Sequence, residues 1–264
     1  MNVGALIIGD EILSGRRADK HLARTIELLA ARGMQLSWAR YVGDDPERIT
    51  RELREAFASG DLVFSFGGIG ATPDDHTRAC AAQALQRPLV LHPQARELIL
   101  QRVREMAAEK GEPFDAEHPD TVRRLDMGCF PKDASIIPNP YNRIPGFSVG
   151  SVYFVPGFPV MVWPMVEWVL DTHYPHLHRQ QAWAERALIV LGTMEATLTP
   201  LMVDIEERFP GIKVFSLPSV DHPQWGRHIE LGVKGAPEQV EQAFAWLTDA
   251  LRRDGVPTGP EVRS

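Results

Sequence analysis

Two short runs of apolar residues each end abruptly on glycine. Val3–Ile8 (VGALII) stops at Gly9-Asp10-Glu11, and Asp61–Phe66 (DLVFSF) runs straight into Gly67-Gly68. Neither run alternates polar with apolar residues as a half-solvated strand would. Runs of this kind suit strands covered on both faces, which occur in parallel sheets sandwiched between helices. The segments between them fit that arrangement. Ala18–Arg32 places Leu22, Ile26 and Leu29 along one face and ends at Gly33, so it reads as a helix. Leu36–Val42 reads as a strand. Asp44 or Asp45 caps a helix from Pro46 to Ala58, with Ile49, Leu53 and Phe57 on its buried side.

Further helices are expected from about Asp74 and over Pro93–Lys110. Strands are expected at Ser135–Ile137 and Ser151–Val155, flanking a Pro/Gly-rich loop, and an apolar helix near Val160–Thr172. The alternation predicts an α/β fold: a three-layer α/β/α domain with a mostly parallel sheet over residues 1–175. The polar stretch Tyr174–Gln181 marks a boundary. A strand, helix, strand, strand, helix succession then predicts a small α/β sandwich over 182–255, suited to oligomer contacts or to covering a pocket. Residues 256–264 (VPTGPEVRS) read as a disordered tail.

Composition narrows the partners. The chain of 264 residues carries 28 basic and 35 acidic side chains, a formal charge of −7, with no Lys/Arg-rich run. A nucleic-acid or anionic-membrane partner needs a basic face and is not expected. Cys80 and Cys129 form no CxxC pair, and Cys80 reads as a buried thiol. The N-terminus reads as a strand, not a signal peptide, and no run approaches the length of a membrane span. The expected location is the cytoplasm.

In a doubly wound sheet, ligands sit at the carboxyl ends of the strands. Both Gly9-Asp10-Glu11 and the loop Gly67–Thr77 (GGIGATPDDHT) fall there. Glycines permit close backbone approach, and exposed amides beside a helix start make an anion site. Asp74 and Asp75 exceed what one helix cap needs. Beside a phosphate cradle, paired carboxylates make sense where a divalent cation bridges them to the ligand, with Asp10 and Glu11 completing the oxygen shell. The spacing matches neither a Walker A loop nor a dinucleotide GxGxxG. Asn139, Asn142 and Arg143, in the rigid loop Pro138–Gly146, could reach a ring, a ribose or a phosphate.

In order, GDEILSG, VGDDPERI, DLVFSFGGIGATPDDHT, the Asn139–Phe147 loop ending in PGF, and VPGFP resemble the molybdopterin-binding domain of the MoaB/MogA/MoeA superfamily, in its CinA-like branch. The resemblance covers residues 2–175, and the segment after it resembles the small α/β domain that follows in CinA. It implies a MogA-like fold with a pocket at these loops, and a small-molecule nucleotide or pterin as ligand, molybdopterin among them. It also implies a divalent metal (Mg²⁺, Mn²⁺ or Co²⁺) and an ADP-ribose-type pyrophosphatase activity, or binding alone in molybdenum cofactor biosynthesis. A homo-oligomer, dimer or trimer, is expected. The nicotinamide-nucleotide deamidase domain of full-length CinA proteins is not expected here. By motif, Asp75 and Asp74 are the catalytic candidates. Gly67, Gly68, Ile69, Gly70, Thr72, Thr77, Asn139, Pro145, Gly146, Pro156 and Gly157 would bind ligand, and Asp10, Glu11 and Asp75 would hold the metal. The chain departs from the family at Ala71, at Ala18–His21 and at Asn142–Ile144, all expected to line the pocket.

Overall fold

The computed structural model describes residues 1–178 and 184–262 and divides into two compact units, Met1–His178 and Arg179–Ser264. In the first unit, strands β1 (Val3–Ile8), β2 (Trp38–Val42), β3 (Leu62–Phe66), β6 (Ser135–Ile137), β7 (Gly146–Val149) and β8 (Val152–Val155) form one sheet. Its order is β2-β1-β3-β8-β7-β6. The four strands β2, β1, β3 and β8 run parallel, and β7 and β6 close the far edge antiparallel. Every residue of β1, β3 and β8 is buried, which is why these segments carry unbroken apolar runs.

One face of the sheet packs on helices α2 (His21–Ala30) and α7 (Pro159–His173), through Leu28, Leu29, Val162, Met165 and Val169 against Ile7, Phe64 and Tyr153. The other face packs on α3 (Pro46–Ser59), α4 (Thr77–Leu85) and α5 (Pro93–Lys110), where Ile49, Leu53, Ala81 and Ala95 meet Leu6, Val63, Phe147 and Phe154. Phe147 and Phe154 stack across β7 and β8 at 4.3 Å, and Phe130 extends the stack at 4.6 Å from Phe147. These two apolar layers hold the carboxyl ends of β1, β3 and β8 side by side, which positions the loops described below.

Several elements lie outside the sequence pattern. Asp10–Leu13 forms a single helical turn, α1. Leu89–Leu91 (β4) and Cys129–Pro131 (β5) pair antiparallel, and Pro119–Leu125 forms the short helix α6. The helix expected from Asp74 begins at Thr77, so Asp74 and Asp75 stay in the loop.

The second unit holds a four-stranded antiparallel sheet in the order β10-β11-β9-β12, from β9 (Ala184–Leu191), β10 (Lys213–His222), β11 (Gly226–Gly235) and β12 (Thr258–Val262). Helices α8 (Glu195–Arg208) and α9 (Pro237–Arg253) cover one face through Leu198, Ile205, Val240, Phe244 and Leu247. The expected disordered tail at 256–264 is corrected here. Thr258–Val262 pairs with β9, and Arg186 joins the two strands, its Nη2 donating to both Glu261 carboxylate oxygens at 2.8 and 2.7 Å. Pairing with a strand already in place satisfies the backbone of a segment whose Gly and Pro would not form a strand alone. Residues 182–183 of the expected second domain and 263–264 of the expected tail lie outside the described residues. Among the described residues no helix is long and apolar enough to cross a membrane.

Candidate functional site

β3 ends at Phe66, and the chain reverses through Gly67 and Gly68 at φ of 94° and 68°. A Cβ on Gly67 would stand 2.5 Å from the Ile8 carbonyl oxygen, and one on Gly68 2.2 Å from Thr77 Oγ1. Only glycine lets the loop lie this close to both the end of β1 and the start of α4. Thr77 is fully buried and anchors the turn: its hydroxyl donates to Gly67 O at 3.1 Å and its amide to Gly68 O at 3.0 Å. Asp75 shapes the next stretch. Its Oδ1 accepts from the Gly70 amide at 2.9 Å, and its Oδ2 accepts from the Thr72 amide at 2.8 Å and from the Thr72 hydroxyl. Among the described residues no protein group accepts from the amides of Gly68, Ile69 or Ala71. An anion approaching the loop therefore meets unspent donors.

Arg78 supports the loop from behind. It is 8% exposed and donates to Gly70 O at 2.6 Å, to Cys129 O at 3.5 Å and to Asp126 O. Burial pulls its pKa down, but an arginine in a protein stays protonated. The result is a fixed positive charge beneath the loop. Sequence reasoning did not single it out, because one arginine at the start of a helix has no pattern of its own.

The second wall comes from the end of β1. Asp10 and Asp44 clasp each other reciprocally: the Asp10 amide donates to Asp44 Oδ2 at 2.9 Å, and the Asp44 amide donates to Asp10 Oδ1 at 3.1 Å. Asp45, not Asp44, caps α3, accepting from the Arg48 amide at 2.7 Å. The second Asp of the pair was the available signal for a site residue, since a cap uses one. Burial, followed by the like charges of Asp10, Glu11 and Asp74, raises the Asp44 pKa.

Two adjoining compartments open at these strand ends. One, of about 400 Å³, is lined by Gly9, Glu11, Arg17, Asp44, the loop from Gly67 to Thr72, Asp74, Asp75, Pro156 and Gly157. The other, of about 270 Å³, has an apolar floor of Ile7, Ile12, Phe66 and Phe158, with Lys20 and His21. Ile8, Glu11, Arg17, Gly157 and Phe158 belong to both.

His21 is 6% exposed, stacks on Phe66 at 5.0 Å, and its Nε2 lies 3.1 Å from the Gly157 carbonyl. The carbonyl requires Nε2 to carry the proton. Burial, the largest cause, lowers the His21 pKa below 6.5. A histidine whose folded pKa is depressed contributes full stability above its unfolded pKa and loses it as pH falls through the folded one. The melting temperature is therefore expected to fall more steeply below pH 6.5 in the wild type than in His21→Gln. Equal slopes in a thermal-melt series would contradict this.

The expected site residues divide. Gly67, Gly68, Ile69, Gly70, Thr72, Asp74, Asp75, Pro156 and Gly157 meet Glu11 in the larger compartment. Thr77 lies behind the loop. Asn139, Pro145 and Gly146, expected on the ligand, are all buried and line neither compartment. The Asn139 amide nitrogen donates to Asn142 Oδ1 at 2.8 Å and Ile144 O at 2.9 Å, and its oxygen accepts from Tyr141 N at 3.0 Å, so it staples its own loop. A Cβ on Gly146 would meet Phe154 O at 2.4 Å, making this a packing glycine. Arg143, a candidate for phosphate, pairs with Glu105 at 2.9 Å. Nor are Asp10, Glu11 and Asp75 gathered as one metal shell. Among the described residues no group of three or more His, Cys, Asp or Glu side chains is arranged to hold a metal. The reason is local: Asp10 is turned to Asp44, and Asp75 to its own loop.

Comparison with known proteins agrees with this fold. Residues 4–178 match the family model of the probable molybdopterin binding domain. The chain is 32% identical over 203 residues to a CinA-like protein of Syntrophotalea carbinolica, covering 74% of this chain and 46% of that protein. It is 31% identical over 249 residues to a protein of Pyrobaculum calidifontis, covering 90% of this chain and 89% of that one. The crystal structure of CinA from Thermoplasma acidophilum aligns at a TM-score of 0.54 and 27% identity, over 65% of this chain and 98% of that one. The chain thus spans about half the length of its CinA-like relative from Syntrophotalea. It belongs to the molybdopterin-binding domain family, in a CinA-like form.

Proposed function

We propose that this member of the molybdopterin-binding domain family takes a phosphorylated nucleotide in the cleft over Gly67–Asp75 and hydrolyses its pyrophosphate with a divalent cation. The observation that carries the reading is the pairing within one cleft of unspent loop amides with the carboxylates of Glu11, Asp44 and Asp74. Carboxylates alone would repel a phosphate. Carboxylates facing an anion cradle suit a phosphate that brings a cation with it.

The cleft offers a cation the carboxylates of Glu11, Asp44 and Asp74. All three are hard oxygen donors, appropriate to Mg²⁺ or Mn²⁺, and they do not form a closed protein shell. Mg²⁺ is commonly held by one or two carboxylates with substrate phosphates and water supplying the rest, so the residues fit a cation that arrives with its ligand. When bound, the cation would neutralise phosphate charge and make a bound water more acidic. The chain's own groups do the remainder. The amides of Gly68, Ile69 and Ala71 hold the phosphate that leaves, and Arg78 beneath Gly70 offsets its charge. Asp75 keeps those amides aimed, and Asp74, at the rim, orients the attacking water. Water adds to one phosphorus, the bridging P–O bond breaks, and the released proton passes to solvent.

Binding of a nucleotide or a molybdopterin without turnover is a second reading. It is favoured by the engagement of both Asp75 oxygens within the loop. The two separate in a panel of ADP-ribose, FAD, ATP and a pterin phosphate, each with Mg²⁺, Mn²⁺ or Co²⁺, followed by thermal shift and product analysis. ADP-ribose at about 100 times its Kd should stabilise the fold by about 2.7 kcal/mol and yield AMP and ribose 5-phosphate. Stabilisation without product selects the second reading, and no stabilisation by any phosphorylated ligand rejects both. Sizing the same samples with and without ligand tests the proposed dimer or trimer.

A further inference from the structure

We propose that Arg17 is the anion clamp of this cleft, held in reserve by Glu11 and exchanged onto the ligand's phosphate when ligand and cation enter. The inference rests on the phosphate-binding reading above and adds a residue and a charge exchange that no motif assigns. Among the residues lining the larger compartment, Arg17 is the one cationic side chain. It also lines the second compartment, where Lys20 adds another positive group. It therefore stands at the junction of the anion cradle and the apolar pocket.

Its backbone is fixed, and its side chain is held only by a solvated ion pair. The Arg17 amide donates to the Glu11 carbonyl at 3.0 Å, which fixes the residue at the rim. Its guanidinium lies 3.6 Å from Glu11 Oε1, and the two side chains are 60% and 44% exposed. A solvated pair at that distance is weak. A guanidinium that meets a phosphate through two parallel donors makes a stronger contact, with a geometry an ammonium cannot copy.

The chemistry of the partners gives the exchange its direction. In the free protein, Glu11 and Arg17 offset each other's charge, while Asp44 and Asp74 line the same cleft without a cationic partner among the described residues. A phosphate with a bound divalent cation offers each a better partner: the cation for Glu11, the phosphate oxygens for Arg17. A ligand carrying only one of the two charges must break the pair and leave one member uncompensated. The clamp thus selects a metal-chelated polyphosphate ester over a free anion. The adjoining compartment of about 270 Å³, with Ile7, Ile12, Phe66 and Phe158 in its lining, offers apolar surface to the organic part of such an ester.

The test is calorimetric titration of the full chain with inorganic pyrophosphate, with and without Mg²⁺. It compares the wild type with Arg17→Ala, Arg17→Lys, Glu11→Gln and the double variant Arg17→Ala/Glu11→Gln. Both positions are solvent-facing, and circular dichroism confirms that each variant is folded. Arg17→Ala is expected to weaken Mg²⁺-pyrophosphate binding by about 10- to 100-fold, as for loss of a hydrogen bond to a charged group. Arg17→Lys should recover only part of that. Without Mg²⁺, Glu11→Gln should tighten pyrophosphate several-fold by releasing Arg17, and the gain should vanish in the double variant. Arg17→Ala binding within twofold of wild type overturns the clamp, as does a Glu11→Gln gain that survives without Arg17. If the wild type itself binds no pyrophosphate under either condition, the phosphate reading of the cleft falls, and the clamp with it.

Discussion

Gly67→Ala is expected to destabilise the protein by about 2–5 kcal/mol and to abolish pyrophosphate binding in the Gly67–Asp75 cleft. Two costs add. The residue sits at φ 94°, where an L side chain costs about 1–2 kcal/mol. Its Cβ would also lie 2.5 Å from the Ile8 carbonyl oxygen. That neighbour is backbone in a fully buried strand, so relief requires moving β1 or the loop, at about 1–3 kcal/mol for overpacking. Either movement misaligns the amides of Gly68 and Ile69. Gly60→Ala is the control: φ is 70° there, with nothing within 4 Å of an added Cβ. It should cost only the conformational part, about 1–2 kcal/mol, and leave binding unchanged. Urea denaturation and titration of both variants decide the matter. A Gly67→Ala variant no less stable than Gly60→Ala would show that the loop tolerates the side chain.

The second large effect concerns Asp75. Its two oxygens collect the amides of Gly70 and Thr72 and the Thr72 hydroxyl. Removal of the carboxylate in Asp75→Ala frees all three donors and lets the loop open. Binding of Mg²⁺-pyrophosphate should fall by about 100-fold, in line with loss of charge-assisted hydrogen bonds that shape the site. The fold should lose only about 1–2 kcal/mol, because the loop is partly solvated and water replaces part of what is lost. Asp75→Asn keeps one acceptor and should fall between the two. If the pyrophosphatase reading holds, its turnover should be lost while its far-ultraviolet dichroism stays native. An Asp75→Asn variant with full activity would remove Asp75 from any role in the site.

Much of the fold was legible before any coordinates. β1, β3 and β8 are buried on both faces, and burial on both faces leaves a continuous apolar run in the sequence. Helix α3 carried its own punctuation, with Asp45 before Pro46 and Gly60 after Ser59. What escaped had no local period to read. The turn α1 spans four residues, and β4 and β5 span three each, with all of β4 exposed. In β7, Gly146–Val149 follows a loop rich in turn-formers, and the loop's composition masked the strand. β12 contains Gly259 and Pro260 and forms only against β9.

The candidate site was legible in kind and not in direction. Residue types at the strand ends led to the expectation of a phosphate and cation site at Gly67–Asp75 and Asp10–Glu11, and the fold lines one cleft with the Gly67–Asp75 loop and Glu11, but not Asp10. The sequence could not show which way each carboxylate turns. Asp10 and Asp75 have side chains as short as that of Asp74, and all three precede or begin a helix. Asp10 is drawn to the Asp44 amide and Asp75 to the loop amides, because those donors lie within reach and would otherwise go unpaired. Asn139 went the same way, into its own loop.

The sequence by itself therefore determined the glycine loop, since only Gly67 and Gly68 permit a strand to reverse that close to β1 and Thr77, and it determined the parallel core behind it. The tertiary structure decided which acids line the cleft and which hold the loop, and it placed Arg78 behind the loop and Arg17 in the cleft lining. That decision depends on which backbone donors and charges meet across segments far apart in the chain, and no pattern within a single segment records it.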